Sequence, residues 1–209
     1  IFPHFVRDYS TLRIMSVLQR IAIAYGIGAI ICMTVKRDYL WIVIAVVLVL
    51  YWGILGFLGG PDPYSLEGNI ASKVDAALLG TNHLYKGFGI PFDPEGLLST
   101  LPAVCTVLIG FYIGELLGKG SPDGKTILKL LLFGVASAGL GLLWNLVFPI
   151  NKPLWTSSYV LFTAGVAMGV LALICLIADV WKLQKWGYLF LVFGTNALFS
   201  FFLAGVWTR

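Results

Sequence analysis

Asp93 and Glu95, in the run Asp93-Pro94-Glu95-Gly96, stand immediately before a long apolar stretch. Two carboxylates so close together could hold an amine or hydroxyl substrate, or tune a neighbouring base. The same residues also read as a helix start, with Asp at the N-cap, Pro at the first helical position and Glu in the first turn. Asn82-His83-Leu84-Tyr85 lies a short way upstream. Histidine is the side chain whose ordinary pKa suits proton transfer near neutrality, and the chain has only His4 and His83. With no nucleophile visible beside it, His83 is a weak candidate for a catalytic base, and a backbone hydrogen bond explains it equally well.

A second group of polar residues lies in Asn151-Lys152-Pro153-Leu154-Trp155-Thr156-Ser157-Ser158. Pro153 can open a helix and Trp155 suits an aromatic belt at a membrane surface. Lys152, with Asn151 beside it, is also placed to meet a phosphate or carboxylate near a helix N-terminus. Further back, Arg13, Ser16 and Arg20 fall on one helical stripe with Gln19 adjacent. A charge such as Arg20 inside an apolar span costs about 2.5–3.5 kcal/mol, so it should face the bundle interior or snorkel to the headgroups. Asn196, beside Thr195 in the last apolar stretch, should likewise point inward. Cys32, Cys105 and Cys175 sit in apolar runs as small core residues, and no metal-ligand spacing is present.

The elements that must position these groups are membrane helices. Of the 209 residues 59% are hydrophobic and 11% charged, with a mean hydropathy of +0.91, which leaves too little polar surface for a soluble domain. Six stretches are long enough to span a bilayer, at about 14–34, 39–59, 97–118, 126–148, 155–179 and 187–207. Open sheet edges cannot sit in hydrocarbon, and the ten-residue alternation of a membrane barrel is missing, so the expected fold is all-α: a single polytopic transmembrane bundle over residues 1–209. The long connection at 60–96 carries five of the ten acidic residues. Lys36, Arg37, Lys119, Lys125, Lys129, Lys182 and Lys185 fall in alternate loops, which places those loops in the cytoplasm and loop 60–96 outside. Arg7 and Arg13 run against that bias. Glycine pairs such as Gly110/Gly114 and Gly165/Gly169 suggest close helix packing. The two halves of the chain do not repeat each other, as an inverted-repeat transporter would require. No dense basic cluster with interleaved aromatics suggests nucleic acid, so the lipid bilayer is the expected partner. A homo-oligomer is left open.

Five blocks carry a resemblance: Leu12–Ile21, His83–Tyr85, Asp93–Thr100, Pro149–Val160 and, more weakly, Gly194–Leu198. Taken in order, they resemble the heparan-α-glucosaminide N-acetyltransferase-like transmembrane acyltransferases and their bacterial members. The resemblance implies a complete protein of about ten or eleven helices that transfers an acetyl group from acetyl-CoA to a sugar amine or hydroxyl on the outer or lumenal side. It implies a bacterial inner membrane as the location, and further N-terminal helices, carrying the histidine credited with catalysis, before Ile1. These 209 residues alone are therefore expected to be inactive. For such a transfer, Lys152, Asn151 and the Arg13/Arg20 stripe could bind phosphate or polarise a carbonyl, while Asp93, Glu95 and His83 could bind the acceptor. The competing readings are a transporter or channel for a small polar solute, with Arg20 and Asn196 lining its path, and a non-catalytic scaffold subunit.

Overall fold

A computed structural model describes residues 9–118, 120 and 122–207. His4, Arg7 and Lys119 lie outside the described residues. Among the described residues the regular structure is entirely helical, and five helical segments are long and apolar enough to cross a bilayer. They contain α1 (Val17–Thr34), α2 (Leu40–Leu58), α4 (Thr100–Leu117), α5 (Gly124–Trp144) and α6 (Ser157–Cys175), the last continuing through a π-helical turn at Leu176–Val180. The protein is an integral membrane protein with an all-α, polytopic bundle.

The ends and the last stretch differ from the sequence expectation. Residues 187–207 form two short helices, α7 (Gly187–Thr195) and α8 (Ala197–Trp207), separated at Asn196, whose φ of −119° and ψ of 31° leave the helical region. Neither reaches the roughly 20 residues that span hydrocarbon. Asn196 is exposed, and its amide donates to Val192 O at 2.9 Å and to Thr195 Oγ1 at 3.2 Å, so it serves its own turn rather than the bundle interior. The 60–96 connection is not all loop, because α3 (Ile70–Leu79) forms within it, started by Asn69 Oδ1 accepting from Ser72 N at 2.7 Å.

Close packing depends on small residues. At Gly134, Gly141 and Gly165 a Cβ would strike the facing helix, which lets α5 and α6 lie against each other, and Ser137 Oγ donates to Leu161 O across that seam. Gly110, Gly114 and Gly169 meet open space, so of the glycines singled out by spacing only Gly165 packs in this way. Helix α1 lies on α4 through Ala24, Gly28, Ala103, Val104 and Leu108. Helix α2 is tied to the start of α6 by two buried hydroxyls: Ser157 Oγ donates to Leu48 O at 2.7 Å and Tyr51 OH to Leu154 O at 2.6 Å. Tyr51, Leu55, Ala71, Phe92, Phe148 and Leu154 form a core that seats the long connection on the bundle.

The two ends of the bundle are chemically distinct. At one, Arg37 Nε meets Glu115 Oε2 at 3.0 Å and its guanidinium lies over Tyr112, joining the α1–α2 turn to the end of α4. At the other, the 60–96 connection and the 145–156 turn converge. The positive-inside bias assigns the first end to the cytoplasm. Cysteine introduced at exposed Asp38 should therefore react only with reagents that enter the cell, and cysteine at exposed Thr81 with impermeant ones. One span separates the two positions, so labelling of both from the same side would refute the alternation.

Candidate functional site

Arg20 sits one turn inside α1 and is only 5% exposed. Its guanidinium donates from one terminal nitrogen to Pro94 O and from the other to Ser99 O, both at 2.9 Å, and stacks 3.9 Å from the Trp155 ring centre. Two carbonyls and an aromatic face thus replace the water that a buried cation loses. Its Nε has no partner, the only buried side-chain nitrogen or oxygen of which this holds among the described residues.

Pro94 O is available because the backbone there is not helical, and Ser99 O, at the N-cap of α4, uses its second lone pair. A helix beginning at 97 with Asp93 as its cap was the sequence expectation; instead α4 begins at Thr100 and the preceding residues form successive turns. Asp93 Oδ1 accepts from Glu95 N at 3.0 Å, while Gly96 N donates to Asp93 O. The rest of the Asp93 carboxylate is committed to Arg13, which donates from Nε to Oδ2 at 2.8 Å and from a terminal nitrogen to Oδ1 at 2.5 Å. The Asp93 side chain is fully buried. The same nitrogen of Arg13 also bonds Glu95 Oε2, and its guanidinium lies 4.7 Å from the Tyr85 ring centre. The bond to Asp93 is the main reason that the Arg13 guanidinium is held above its ordinary pKa.

Beneath this turn lies a residue that the sequence reading passed over. Asp75, on α3, is 1% exposed and accepts from Leu97 N at 2.9 Å and Leu98 N at 3.4 Å. A Cβ at Gly96 would collide with its carboxylate, so only glycine lets the turn close over it. Burial pushes the Asp75 carboxyl up to about 6, against the opposing pull of the two backbone N–H groups. Its isolated position in a mixed polar segment gave no signal; only the fold places it under Gly96.

The 151–156 turn forms the opposite wall. Asn151 Oδ1 accepts from Leu154 N at 3.1 Å and Thr156 Oγ1 from Asn151 N at 3.0 Å, which fixes the turn from within. Trp155 is held at φ 51°, a left-handed conformation costly for a bulky residue, and in that pose its ring covers Arg20 while Nε1 reaches Thr106 Oγ1 at 3.4 Å. Lys152 is exposed and makes no ion pair among the described residues.

Between the walls run two adjoining cavities of about 420 Å³ each, both lined by Val17, Arg20, Glu95, Lys152 and Trp155. One adds Arg13, Tyr85 and Phe88 at the mouth; the other continues between α1 and α4 along Ile21, Ala24, Tyr25, Ala103 and Val107. Of the residues marked by sequence, Arg20, Glu95 and Lys152 line this cleft. Asp93 lies behind it, and Asn151 faces a smaller cavity with Tyr64 and Asn69. His83 does not line the cleft; its Nδ1 donates to Leu12 O at 2.8 Å, which leaves Nε2 as the basic nitrogen. Asn196 is bound within its own segment. Among the described residues no three His, Cys, Asp or Glu side chains gather to hold a metal.

Fold and cleft define a polytopic membrane protein with a charged, aromatic-walled cleft at one end of its bundle. No family model matches the chain. Two curated relatives do: the heparan-alpha-glucosaminide N-acetyltransferase of Mus musculus is 30% identical over 130 residues, 54% of this chain, and that of Homo sapiens 26% identical over 229, 83% of this chain. The matched regions amount to 20% and 34% of those proteins, so the chain spans about a fifth to a third of their length. Both matches support, at the level of the family, the resemblance drawn from the motifs.

Breaking the Arg13–Asp93 pair would leave a carboxylate buried without its cation. Arg13→Ala should destabilise the protein by about 3 kcal/mol, near the low end for a buried pair because Arg13 keeps partial exposure, and adding Asp93→Asn should recover part of the loss. Thermal unfolding in detergent measures both, and losses of the two single variants that simply add in the double variant would show no coupling. For Asp75, the folded carboxyl binds its proton more tightly than the unfolded one, whose reference value is 3.8. Its stabilising share is complete below that value and is lost as pH rises through about 6. Asp75→Asn should therefore flatten the stability profile between these pH values, and an unchanged slope would exclude Asp75 as its source.

Proposed function

We propose that this chain is part of a membrane acetyltransferase that passes an acetyl group from acetyl-CoA to a sugar amine or hydroxyl at the outer end of its bundle, in a bacterial inner membrane. The observation that carries the reading is convergence. Leu12–Ile21, Asp93–Thr100 and Pro149–Val160, three of the blocks on which the resemblance rests, are far apart in sequence yet build the walls of one cleft. The acetyltransferase names of the two relatives supply the reaction class.

Acetyl transfer forms a nitrogen–carbon or oxygen–carbon bond to the acetyl carbonyl and breaks its carbon–sulfur bond; the acceptor loses a proton and the departing sulfur takes one up. Glu95 lines both cavities, and in this reading its carboxylate holds the acceptor amine or hydroxyl while Arg13 holds Glu95 in place. Tyr85, Phe88 and Trp155 offer ring faces to a sugar. Arg20 and Lys152, the cations that line both cavities without an acidic partner among the described residues, take an anionic part of a substrate. His83, outside the cleft wall, orders the segment before α1 through Leu12 rather than meeting the acceptor. For the solute-path alternative, Arg20 and Asn196 share no described contact.

In the purified full-length protein, release of free CoA should depend on a glucosamine-containing acceptor. Lys152→Ala should lower that turnover by about tenfold or more, the loss expected of a charge-assisted contact, without reducing membrane expression. Unchanged kinetics in Lys152→Ala would remove the 151–156 turn from the site, and no acetyl transfer to any amine or hydroxyl sugar would end the acetyltransferase reading.

A further inference from the structure

We infer that the cleft binds an anionic amphiphile, with its phosphate-like head between Arg20 and Lys152 and its apolar chain in the groove between α1 and α4. This deepens the acetyltransferase reading and rests on it for one point only, that the bound molecule is the membrane-anchored carrier of the acceptor sugar.

The head site rests on two donors. Arg20 is almost wholly buried, and its two terminal nitrogens are engaged by Pro94 O and Ser99 O, yet its Nε is left without an acceptor while the residue lines both cavities. Lys152, on the opposite wall, lines the same two cavities and pairs with no acid among the described residues. Glu95 also borders the space, but Arg13 already bonds its carboxylate. Arg20 and Lys152 line both cavities and form no ion pair with an acid among the described residues. An anion between the Arg20 guanidinium and the Lys152 ammonium completes that arrangement.

The chain site follows from what lies below. From Val17 to Tyr25 the groove descends about 12 Å along α1, at the rise of an α-helix. It contains no charged side chain below Arg20, and Thr106, its main polar group, already bonds Trp155 Nε1 and Pro102 O. Ile21, Ala24 and Tyr25 of α1 and Ala103 and Val107 of α4 give the groove a largely apolar lining, which suits a hydrocarbon chain. A soluble anion would use the head site and leave this groove idle. A molecule with both parts, such as a phospholipid or an isoprenoid phosphate, uses both.

Farnesyl phosphate is a suitable probe, with farnesol and inorganic phosphate as its two halves, titrated against the intrinsic fluorescence of the full-length protein in detergent. Farnesyl phosphate should bind at least about tenfold more tightly than either half. Lys152→Gln should weaken farnesyl phosphate by about tenfold and leave farnesol unchanged, because it removes only the charge-assisted contact. Ile21→Gln, on the groove wall, should weaken farnesyl phosphate and farnesol but not phosphate, with thermal unfolding of the variant as the check on its fold. Equal affinity for farnesyl phosphate and inorganic phosphate, or for farnesyl phosphate and farnesol, would overturn the proposal, as would an unaltered Lys152→Gln. Acetyl transfer to soluble glucosamine that farnesyl phosphate fails to inhibit would refute this site while the acetyltransferase reading stands. Tight, Lys152-dependent binding without acetyl transfer to any sugar would support the site and remove the enzyme.

Discussion

A guanidinium buried at the end of an apolar bundle is the constraint from which the rest of the outer end follows. Arg20 cannot reach bulk water from inside α1, so it needs acceptors that do not move away. Helical carbonyls are already committed to their own ladder. The non-helical backbone at Pro94 leaves its carbonyl for one terminal nitrogen, and Ser99, the N-cap of α4, offers the other a second lone pair of its carbonyl. A non-helical turn beside hydrocarbon then needs partners of its own, and these come from α3, from the segment before α1, and from the serine and threonine hydroxyls that close on Pro94 O and Gly96 O.

Each partner recruits a distant part of the chain. Asp75 brings α3 against Leu97 and Leu98, and the absence of a side chain at Gly96 lets it come that near. Arg13 brings the residues before α1 against Asp93 and Glu95, and His83 holds the same segment at Leu12. Trp155 closes the other side of Arg20 from a strained backbone, which is held by Tyr51 on Leu154 O and by Thr156 on Pro149 O. A strained aromatic supported by buried hydroxyls on both sides is a rigid wall, which suits a site whose donors must be fixed before a ligand arrives.

The sequence made the bundle legible because apolar length is a property of residues taken locally. Five of six stretches are spans, and the sixth fails at Asn196, an exposed amide that caps its own turn and that hydropathy alone cannot distinguish from a residue facing the interior. Arg20 was legible for the opposite reason: a charge inside a span has few options, and facing the protein interior is one of them. Asp93 and Glu95 were found, and only their reading as a helix start fails, since Asp-Pro-Glu looks like a good cap until Arg13, 80 residues away, claims the carboxylate. Asp75 and Tyr51 gave no signal at all, and Ser157 stood out only as one member of a polar run. Their importance lies in partners at Leu97, Leu154 and Leu48, which are backbone groups of apolar residues and leave no trace in side-chain pattern.

The distribution of satisfied and unsatisfied groups separates support from site. Asp93, Asp75, Asn69, Thr156, Ser157 and Ser158 are buried polar residues whose hydrogen bonds all run to the protein itself, as packing demands. They build walls. Arg20 belongs to the same buried class by exposure, but it differs in leaving one donor unmatched, and it does so where two cavities meet. A group that existed only to hold α1 against the 93–99 turn could be a neutral donor at lower desolvation cost. Keeping a full charge and one free N–H at that junction is a cost that packing does not require, and an anion in the cleft is what would offset it.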